Sequence, residues 1–465
     1  MAPAWVLLDR FVDMFPLDGD EESEDSGGEE SIPAGMWSVK PNPQVADPPG
    51  ISSFPLLISR KAMNQVRHAM VVCASKNLVV FLTGEYYPIN YRPGCYLIYD
   101  AIHDSLTPVP HVPGPDSLLA IGSGTSVISF GGSGSNAFVL AELLMTDVRK
   151  FPEEAALFTW WSTAVVTPSG YTAADWMKEK VTLPPEVRTP TYFFVSDMAF
   201  SFGESCLCWV DLLMGILICD LVPSRDQPFL SKKEKDPPRF RFIPLPEECS
   251  IDISNRHRPI MSVFRSVSYA GGAIKFLTME GYDEDWPAEE MKLTTWKLSP
   301  DLSEWKKGPV CALRDIWASD KYIAMGVPQL SPICPVLSVL DDDVVWVVMN
   351  DADLADHVEG VHSELKIKTQ YFLSIDMRHK QVLSITQFHP QTLIDPVPNL
   401  MACEFGAYLE RSKVRQVVYD TQHAYYYIYF HFKCTILLTQ LHVPQFFNFW
   451  CLFLVPSPLY LMSKD

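Results

Sequence analysis

Two short apolar runs near the middle of the chain predict a β-hairpin. Residues 206–210 and 216–219 are almost wholly apolar, and the link between them ends in Gly215. Glycine tolerates the backbone angles of a tight reversal, so this spacing favours two antiparallel strands. Neither run alternates between apolar and polar positions, which indicates that both faces of the hairpin are covered.

A similar unit recurs along the chain from about residue 51. An apolar strand ends at an aspartate or a Ser/Pro/Asp turn, and a second strand follows that often ends at proline. Such units are typical of the blades of a β-propeller, because one blade cannot bury both of its faces alone. We predict an all-β, β-propeller-like fold with about six blades. The units begin at residues 95–100, 156–160, 216–220, 292–301, 371–376 and 417–420.

Few stretches of the sequence favour a helix. Residues 136–148 are largely apolar and lack proline, so a helix is allowed there, and a strand over residues 137–143 fits as well. Residues 313–317 and 352–364 predict short helical turns inside loops.

The chain divides into three predicted parts. Residues 1–50 carry an N-terminal strand, an acidic disordered insert and a proline-rich linker. Residues 51–433 form the propeller-like domain, and residues 434–465 form an apolar tail.

Within the first part, residues 5–8 predict a strand that closes the final blade. Eight acids lie between residues 18 and 30, with Ser and Gly among them, and such a stretch cannot bury enough apolar surface to become ordered. The linker follows at residues 41–49. The start of the chain has too little apolar length for a signal peptide.

Charge and cysteine content narrow the functional classes. The 465 residues carry a formal charge of -19, which argues against nucleic acid as a direct partner, because phosphate binding depends on Lys and Arg. The eleven cysteines form no Cys-x-x-Cys pair, and most lie in apolar runs. They predict buried free thiols in a reducing compartment, the cytoplasm or the nucleus.

The tail differs from the rest of the chain because residues 434–462 contain no Asp, Glu, Lys or Arg. Residues 435–455 have the length of a membrane span, whereas Gln440, His442 and Pro444 weaken insertion. A membrane anchor, a buried closing strand and an atypical C-terminus all stay open.

Several segments of the sequence match a known family in order along the chain. The most characteristic is Leu-Cys-Trp-Val-Asp-Leu-Leu-Met-Gly-Ile-Leu-Ile-Cys-Asp at residues 207–220. The others are residues 5–10, 137–143, 156–158, 176–184, 293–298 and 374–378. Together they resemble a plant family, expanded in grasses, that carries the domain of unknown function 1618.

That resemblance implies no reaction, cofactor or catalytic residue, so no catalytic, cofactor-binding or metal-binding residue is assigned. The general layout is similar to the propeller-like domains attached to plant F-box proteins, which recognise partners. No Leu-Pro-rich F-box helix is present near the start of this sequence, so the resemblance does not extend to a ubiquitin-ligase adaptor.

Two groups of residues invite a chemical interpretation. The glycine-rich residues 121–126 and 131–136 lack the Lys-Ser/Thr pair of a phosphate-binding loop, and they predict hairpin turns. A second group contains metal-ligand residue types, but its two histidines stand five apart, which favours a solvated loop over a metal site. It comprises Asp351, Asp353, Asp356, His357, Glu359, His362 and Glu364.

Tryptophan and aspartate recur at related places in the units, and we expect structural roles for both. The tryptophans predict wedges between neighbouring sheets, and the aspartates at strand ends predict turn acceptors of backbone N–H groups. The tryptophans are Trp160, Trp161, Trp176, Trp209, Trp296, Trp305 and Trp346; the aspartates are Asp100, Asp220, Asp376 and Asp420.

These observations favour a non-catalytic protein-interaction module that binds other proteins through loops at one rim of a propeller. Two alternatives stay open. One is an enzyme, a hydrolase or sugar-active propeller, with acids such as Asp211, Asp315 or Asp341 converging at a central channel. The other is a tail-anchored membrane protein.

Overall fold

The computed structural model describes most of the chain between residues 3 and 409. The described ranges are 3–17, 34–65, 68–85, 92–113, 124–130, 137–145, 154–162, 175–188, 192–203, 205–221, 238–252, 258–282, 286–354, 365–388 and 397–409. Strands dominate these ranges and helices are short. The prediction of a mostly β fold is confirmed for this part of the chain.

Short strands open the described chain. They are β1 (Val6–Asp9), β2 (Met14–Pro16), β3 (Lys40–Pro41), β4 (Ile51–Ser52) and β5 (Leu56–Ile58), followed by helix α1 (Arg60–Gln65). Strand β5 pairs with β2 and β3. Residues 41–49 are predicted as a linker, and the first of them belongs to β3. The Gln44 N–H donates to the Ser53 carbonyl at 2.9 Å, so this segment packs against the residues that follow β4.

Five four-stranded antiparallel sheets follow, each built from consecutive strands in chain order. Sheet 1 contains β6 (His68–Ser75), β7 (Leu78–Glu85), β8 (Arg92–Asp100) and β9 (Ser105–Pro110). Sheet 2 contains β10 (Thr125–Phe130), β11 (Ala137–Met145), β12 (Glu154–Trp161) and β13 (Met177–Thr182). Sheet 3 contains β14 (Met198–Phe202), β15 (Cys206–Asp211), β16 (Gly215–Asp220) and β17 (Phe240–Pro244).

Sheet 4 contains β18 (Arg265–Ala270), β19 (Ala273–Glu280), β20 (Lys292–Leu298) and β21 (Trp305–Ala312). Helices α2 (Leu313–Trp317) and α3 (Asp320–Met325) then lead to sheet 5, which contains β22 (Pro332–Leu337), β23 (Val344–Leu354), β24 (Leu365–Asp376) and β25 (Gln381–Phe388). The last described strand is β26 (Leu400–Cys403).

The recurring unit in the sequence corresponds to one half of each sheet. The first five predicted units fall on β8, β12, β16, β20 and β24, the third strand of each sheet, and the strand that follows is the fourth. The third strands are covered on both faces, so they form the apolar runs that periodicity detects most readily. The sixth unit, at residues 417–420, lies outside the described residues.

The first strands of the sheets contact one another in chain order. Strand β6 lies against β10, β10 against β14, β14 against β18, and β18 against β22. Strand β6 also lies against β14, where the Ser75 and Ser201 hydroxyls are 2.7 Å apart. This contact joins sheet 1 directly to sheet 3.

A sixth sheet combines both ends of the described chain. Strand β26 lies against β22 and pairs antiparallel with β1, with Leu7 opposite Ala402, and β1 pairs parallel with β4. The strand predicted near the N-terminus is therefore present, and it pairs with the last described strand.

Arg10 connects this sixth sheet to sheet 1. Its Nε donates to the Val71 carbonyl at 2.8 Å and its Nη2 to the Val72 carbonyl at 3.2 Å, while Nη1 reaches Asn399 Oδ1 at 3.3 Å. Strand β6 has a register shift between Val71 and Cys73, and a bulge of this kind disrupts the ladder. The Arg10 guanidinium therefore supplies hydrogen-bond donors to the Val71 and Val72 carbonyls where the pairing of β6 with β7 is irregular.

The central hairpin is confirmed, but Gly215 serves a different purpose from the one predicted. Strands β15 and β16 pair from Cys206 opposite Asp220 to Asp211 opposite Gly215. Gly215 is not among the glycines with positive φ. A Cβ on Gly215 would stand 2.3 Å from the Ile243 carbonyl oxygen and 2.6 Å from the Phe242 ring. Glycine is needed there for the close approach of β17.

The helix predictions have mixed outcomes. Residues 137–145 form strand β11, because residues 137–142 pair with β10 and residues 139–145 pair with β12. Residues 313–317 form α2 as predicted. The helical turn predicted at residues 352–364 is wrong at its start, where residues 352–354 continue β23 against β24, and residues 355–364 lie outside the described part.

Free thiols contribute to the core, as the cysteine pattern predicts. The described cysteines form no disulfide, and eight of nine are buried. Within the described ranges, no helix is long and apolar enough to cross a membrane. The acidic residues 18–30 and the tail at residues 434–465 both lie outside those ranges.

Candidate functional site

The turn between β15 and β16 is the centre of a group of buried and nearly buried charges. Asp211 ends β15 and has no exposed surface. Its Oδ1 accepts hydrogen bonds from the backbone N–H groups of Leu213 at 2.8 Å and Met214 at 3.2 Å. A carboxylate at this position shapes the turn, as Asx residues do in tight reversals.

The other oxygen of Asp211 holds the connection between sheets 2 and 3. Oδ2 accepts from the Tyr192 hydroxyl at 2.9 Å and from the Val195 N–H at 2.8 Å. Asp197, farther along the same connection, accepts the Leu212 N–H at 2.7 Å. The turn and the connection before β14 are therefore tied to each other through two carboxylates.

Arg258 completes the group from the connection between sheets 3 and 4. Its Nη1 and Nη2 donate to the two oxygens of Asp197 at 2.9 and 2.5 Å, and Nη2 also reaches Asp211 Oδ1 at 3.1 Å. The guanidinium carbon stands 5.9 Å from the centre of the Tyr192 ring. We call Tyr192, Asp197, Asp211 and Arg258 the turn cluster.

The electrostatics of the turn cluster follow from two carboxylates that share one guanidinium. Burial raises the pKa of Asp211, and the charge of Arg258 opposes that rise. Burial also disfavours the charged form of Arg258, but Asp197 and Asp211 outweigh it and the pKa of Arg258 is raised. The pKa of Tyr192 is raised by burial and then by Asp211.

A second arginine supports the same turn from the other side. Arg265, at the start of β18, donates from Nη1 to the Leu212 carbonyl at 2.9 Å and from Nη2 to the Cys249 carbonyl. Its guanidinium carbon lies 5.7 Å from the ring centres of both Phe264 and Phe276. Sheets 3 and 4 are joined at this turn.

The turn cluster has the composition of a catalytic site but the hydrogen bonding of a structural joint. Asp211 accepts five hydrogen bonds on two oxygens, and Asp197 accepts three. A carboxylate offers about four lone-pair sites, so little capacity is left for a substrate proton or a metal. Among the described residues, no group of three His, Cys, Asp or Glu side chains is arranged to hold a metal ion.

The acids proposed for a catalytic channel have no partner in common within the described structure. Asp211 belongs to the turn cluster. Asp315, in α2, accepts Lys380 Nζ at 3.0 Å. Asp341 lies in the β22–β23 connection, where its N–H donates to Ser338 Oγ at 3.1 Å. Each acid is held by a separate element.

The predicted tryptophan wedges are supported by burial and by hydrogen bonds between sheets. Trp176 and Trp305 donate from Nε1 to the carbonyls of Pro110 and Pro244, at 2.7 and 2.8 Å. Both bonds join the fourth-strand region of one sheet to the fourth strand of the preceding sheet. The buried members of the set are Trp160, Trp161, Trp209, Trp296 and Trp346.

The aspartates at strand ends act as turn acceptors at two of the predicted positions. Asp100 Oδ1 accepts the Ile102 N–H at 2.9 Å, and Asp376 Oδ1 accepts the His379 N–H at 2.9 Å. Asp220 ends β16 with an exposed side chain, and Asp420 lies outside the described residues.

The remaining motif residues are only partly described. Asp351 and Asp353 lie in β23, and the other five members of the metal-type group fall outside the described part. In the first glycine-rich stretch, Gly124 accepts Trp209 Nε1 at 2.7 Å through its carbonyl, and residues 121–123 and 131–136 are not described.

Three members of the turn cluster carry no signal in the sequence. Arg258 stands 61 residues from Asp197 and 47 from Asp211 in sequence. No spacing rule joins residues so far apart, and Tyr192 lies in no motif. The one detectable signal is Asp211 itself, an aspartate at a strand end before a reversal.

A family model matches part of the chain. Residues 209–346, from Trp209 in β15 to Trp346 in β23, match the family described as "Protein of unknown function (DUF1618)". The resemblance to the domain of unknown function 1618 is confirmed over those residues. No curated protein matches the chain.

Two solved structures are similar to this chain at low sequence identity. The Fusarium graminearum α-L-arabinofuranosidase Arb93A is 9% identical, with a TM-score of 0.21, over 70% of this chain and 65% of that one. The Synechocystis apocarotenoid oxygenase is 9% identical, with a TM-score of 0.26, over 70% of this chain and 58% of that one. Each match thus spans less than two thirds of the length of the solved protein.

Proposed function

We propose that this chain is a non-catalytic protein-interaction module, built on a propeller-like ring of about six sheets. It binds other proteins through loops at one rim and works in the cytoplasm or nucleus of a plant cell. The observation that carries the proposal is the turn cluster, whose buried charges are committed to joining sheets 3 and 4.

The order of contacts supports a ring. Each sheet touches the next through its first strand, and the sixth sheet touches sheet 5 through β26 and sheet 1 through Arg10. The Phe11–Met70 bridge adds a second link between the sixth sheet's N-terminal segment and sheet 1. In a ring of this kind every sheet covers its faces with two neighbours and leaves only short edges.

A specific polar or aromatic contact stands at each junction between sheets. The Tyr96 hydroxyl donates to Glu142 across sheets 1 and 2 at 2.9 Å, and Lys275 pairs with Asp342 across sheets 4 and 5 at 2.6 Å. The Trp5 and Trp346 rings meet between sheets 5 and 6, with centres 5.9 Å apart. These contacts fix the orientation of neighbouring sheets, which a binding scaffold requires.

The antiparallel order of the strands brings two classes of loops to the same end of each sheet. The link between the second and third strands, and the link from one sheet to the next, both leave from that end. The turn cluster follows this rule, because it unites the β15–β16 turn with the connections before β14 and before β18. A rim built from such loops can vary in sequence without disturbing the sheets.

The proposal is tested by capture followed by reconstitution. The purified chain is coupled to beads and exposed to a plant cell extract, and each enriched protein is then purified and mixed with the free chain. We expect at least one to form a complex of fixed stoichiometry by size-exclusion chromatography and calorimetry. Failure of every enriched protein to re-form a complex would overturn the proposal.

A further inference from the structure

We draw no further inference here: the strongest candidate, the apolar patch that Ile323 and Met325 expose on helix α3 in the link between sheets 4 and 5, carries none, because exposed cations and exposed acids both flank it and nothing in the described structure shows what covers it.

Discussion

Asp211 is surrounded by five hydrogen-bond donors that come from three separate parts of the chain. Two are backbone N–H groups of its own turn, two come from the connection before β14, and the fifth is Arg258. The sequence predicts an aspartate acceptor at such a strand end, because that role depends on the next few residues. It does not predict the tyrosine or the arginine, because their positions depend on how the sheets pack.

Arg258→Met tests the turn cluster at the residue scale. The change leaves Asp197 and Asp211 buried without their guanidinium partner, and breaking a buried pair in this way costs about 3–5 kcal/mol. We expect urea denaturation to report a loss of that size. Arg314→Met removes an exposed arginine and serves as the control, with an expected change within about 0.5 kcal/mol. An equal loss of unfolding free energy in the two variants would contradict a stabilising role of Arg258 in the turn cluster.

The raised pKa of Asp211 predicts a pH dependence with a definite sign. The folded state holds the proton of Asp211 more readily than the unfolded state, so the ionised form costs stability at neutral pH. That cost is fully present above the folded pKa and disappears as the pH falls toward 3.8, the ordinary pKa of an aspartate. Relative to Asp211→Asn, the wild-type chain should therefore gain stability as the pH is lowered from 7 into this window.

The measurement is the urea midpoint of both chains at a series of pH values, and the difference between them isolates Asp211 from the other acids. A difference that stays constant with pH, or that changes in the opposite direction, would show that burial does not dominate at this carboxyl.

At the scale of elements, the hairpin of β15 and β16 was predictable because strand signals are local. Its two apolar runs and the intervening reversal lie within fifteen residues. The choice between helix and strand for residues 137–145 was not predictable from periodicity, since those residues are almost continuously buried and pair with strands on both sides. The helical turn predicted from residue 352 is wrong because β23 continues beyond its apolar part, and residues 352–354 still pair with β24.

Gly215→Ala tests why glycine is present at the start of β16. The added Cβ would meet the Ile243 carbonyl, and β17 would have to move away from β16. Overpacking of this kind costs about 1–3 kcal/mol. Gly203→Ala is an informative comparison, because its φ of +62° strains alanine while no atom lies within 4 Å of the new Cβ. Chemical denaturation together with loss of amide protection in β17 for Gly215→Ala alone would support the close approach.

Trp305→Phe tests the hydrogen bonds that join fourth strands of neighbouring sheets. The substitution keeps an aromatic ring against Phe276 but removes the donor to the Pro244 carbonyl. We expect a loss of about 0.5–1.5 kcal/mol, the usual contribution of one hydrogen bond. Trp37→Phe, at a tryptophan that is 66% exposed, should change stability by less than about 0.5 kcal/mol. A similar loss for both would mean that the Trp305 bond contributes nothing.

At the scale of the whole molecule, the sequence predicts that similar sheets repeat along the chain, but it does not predict which segments would close them into a ring. Five of the predicted units fall on real sheets, because each contains the same buried third strand followed by a more exposed fourth strand. The proposed closure of the ring rests on Leu7 meeting Ala402 and on Arg10 meeting Val71, which are pairs of residues from distant parts of the chain. The contact between β6 and β14, which brings sheet 1 to sheet 3, has no counterpart in any local pattern.

The proposed closure of the ring through the pairing of β1 with β26 is best tested by an engineered disulfide. Cysteines at Leu7 and Ala402, which face each other in the antiparallel pair, should form a cross-link under mild oxidation. The bond closes nearly the whole described chain into one loop, so unfolding should cost about 5 kcal/mol more than in the reduced variant. Cysteines at Leu8 and Ala402, one residue out of register on opposite faces, should stay reduced. A pair at positions 7 and 402 that remains reduced, or oxidises no faster than the out-of-register control, would contradict a ring closed by its N-terminal strand.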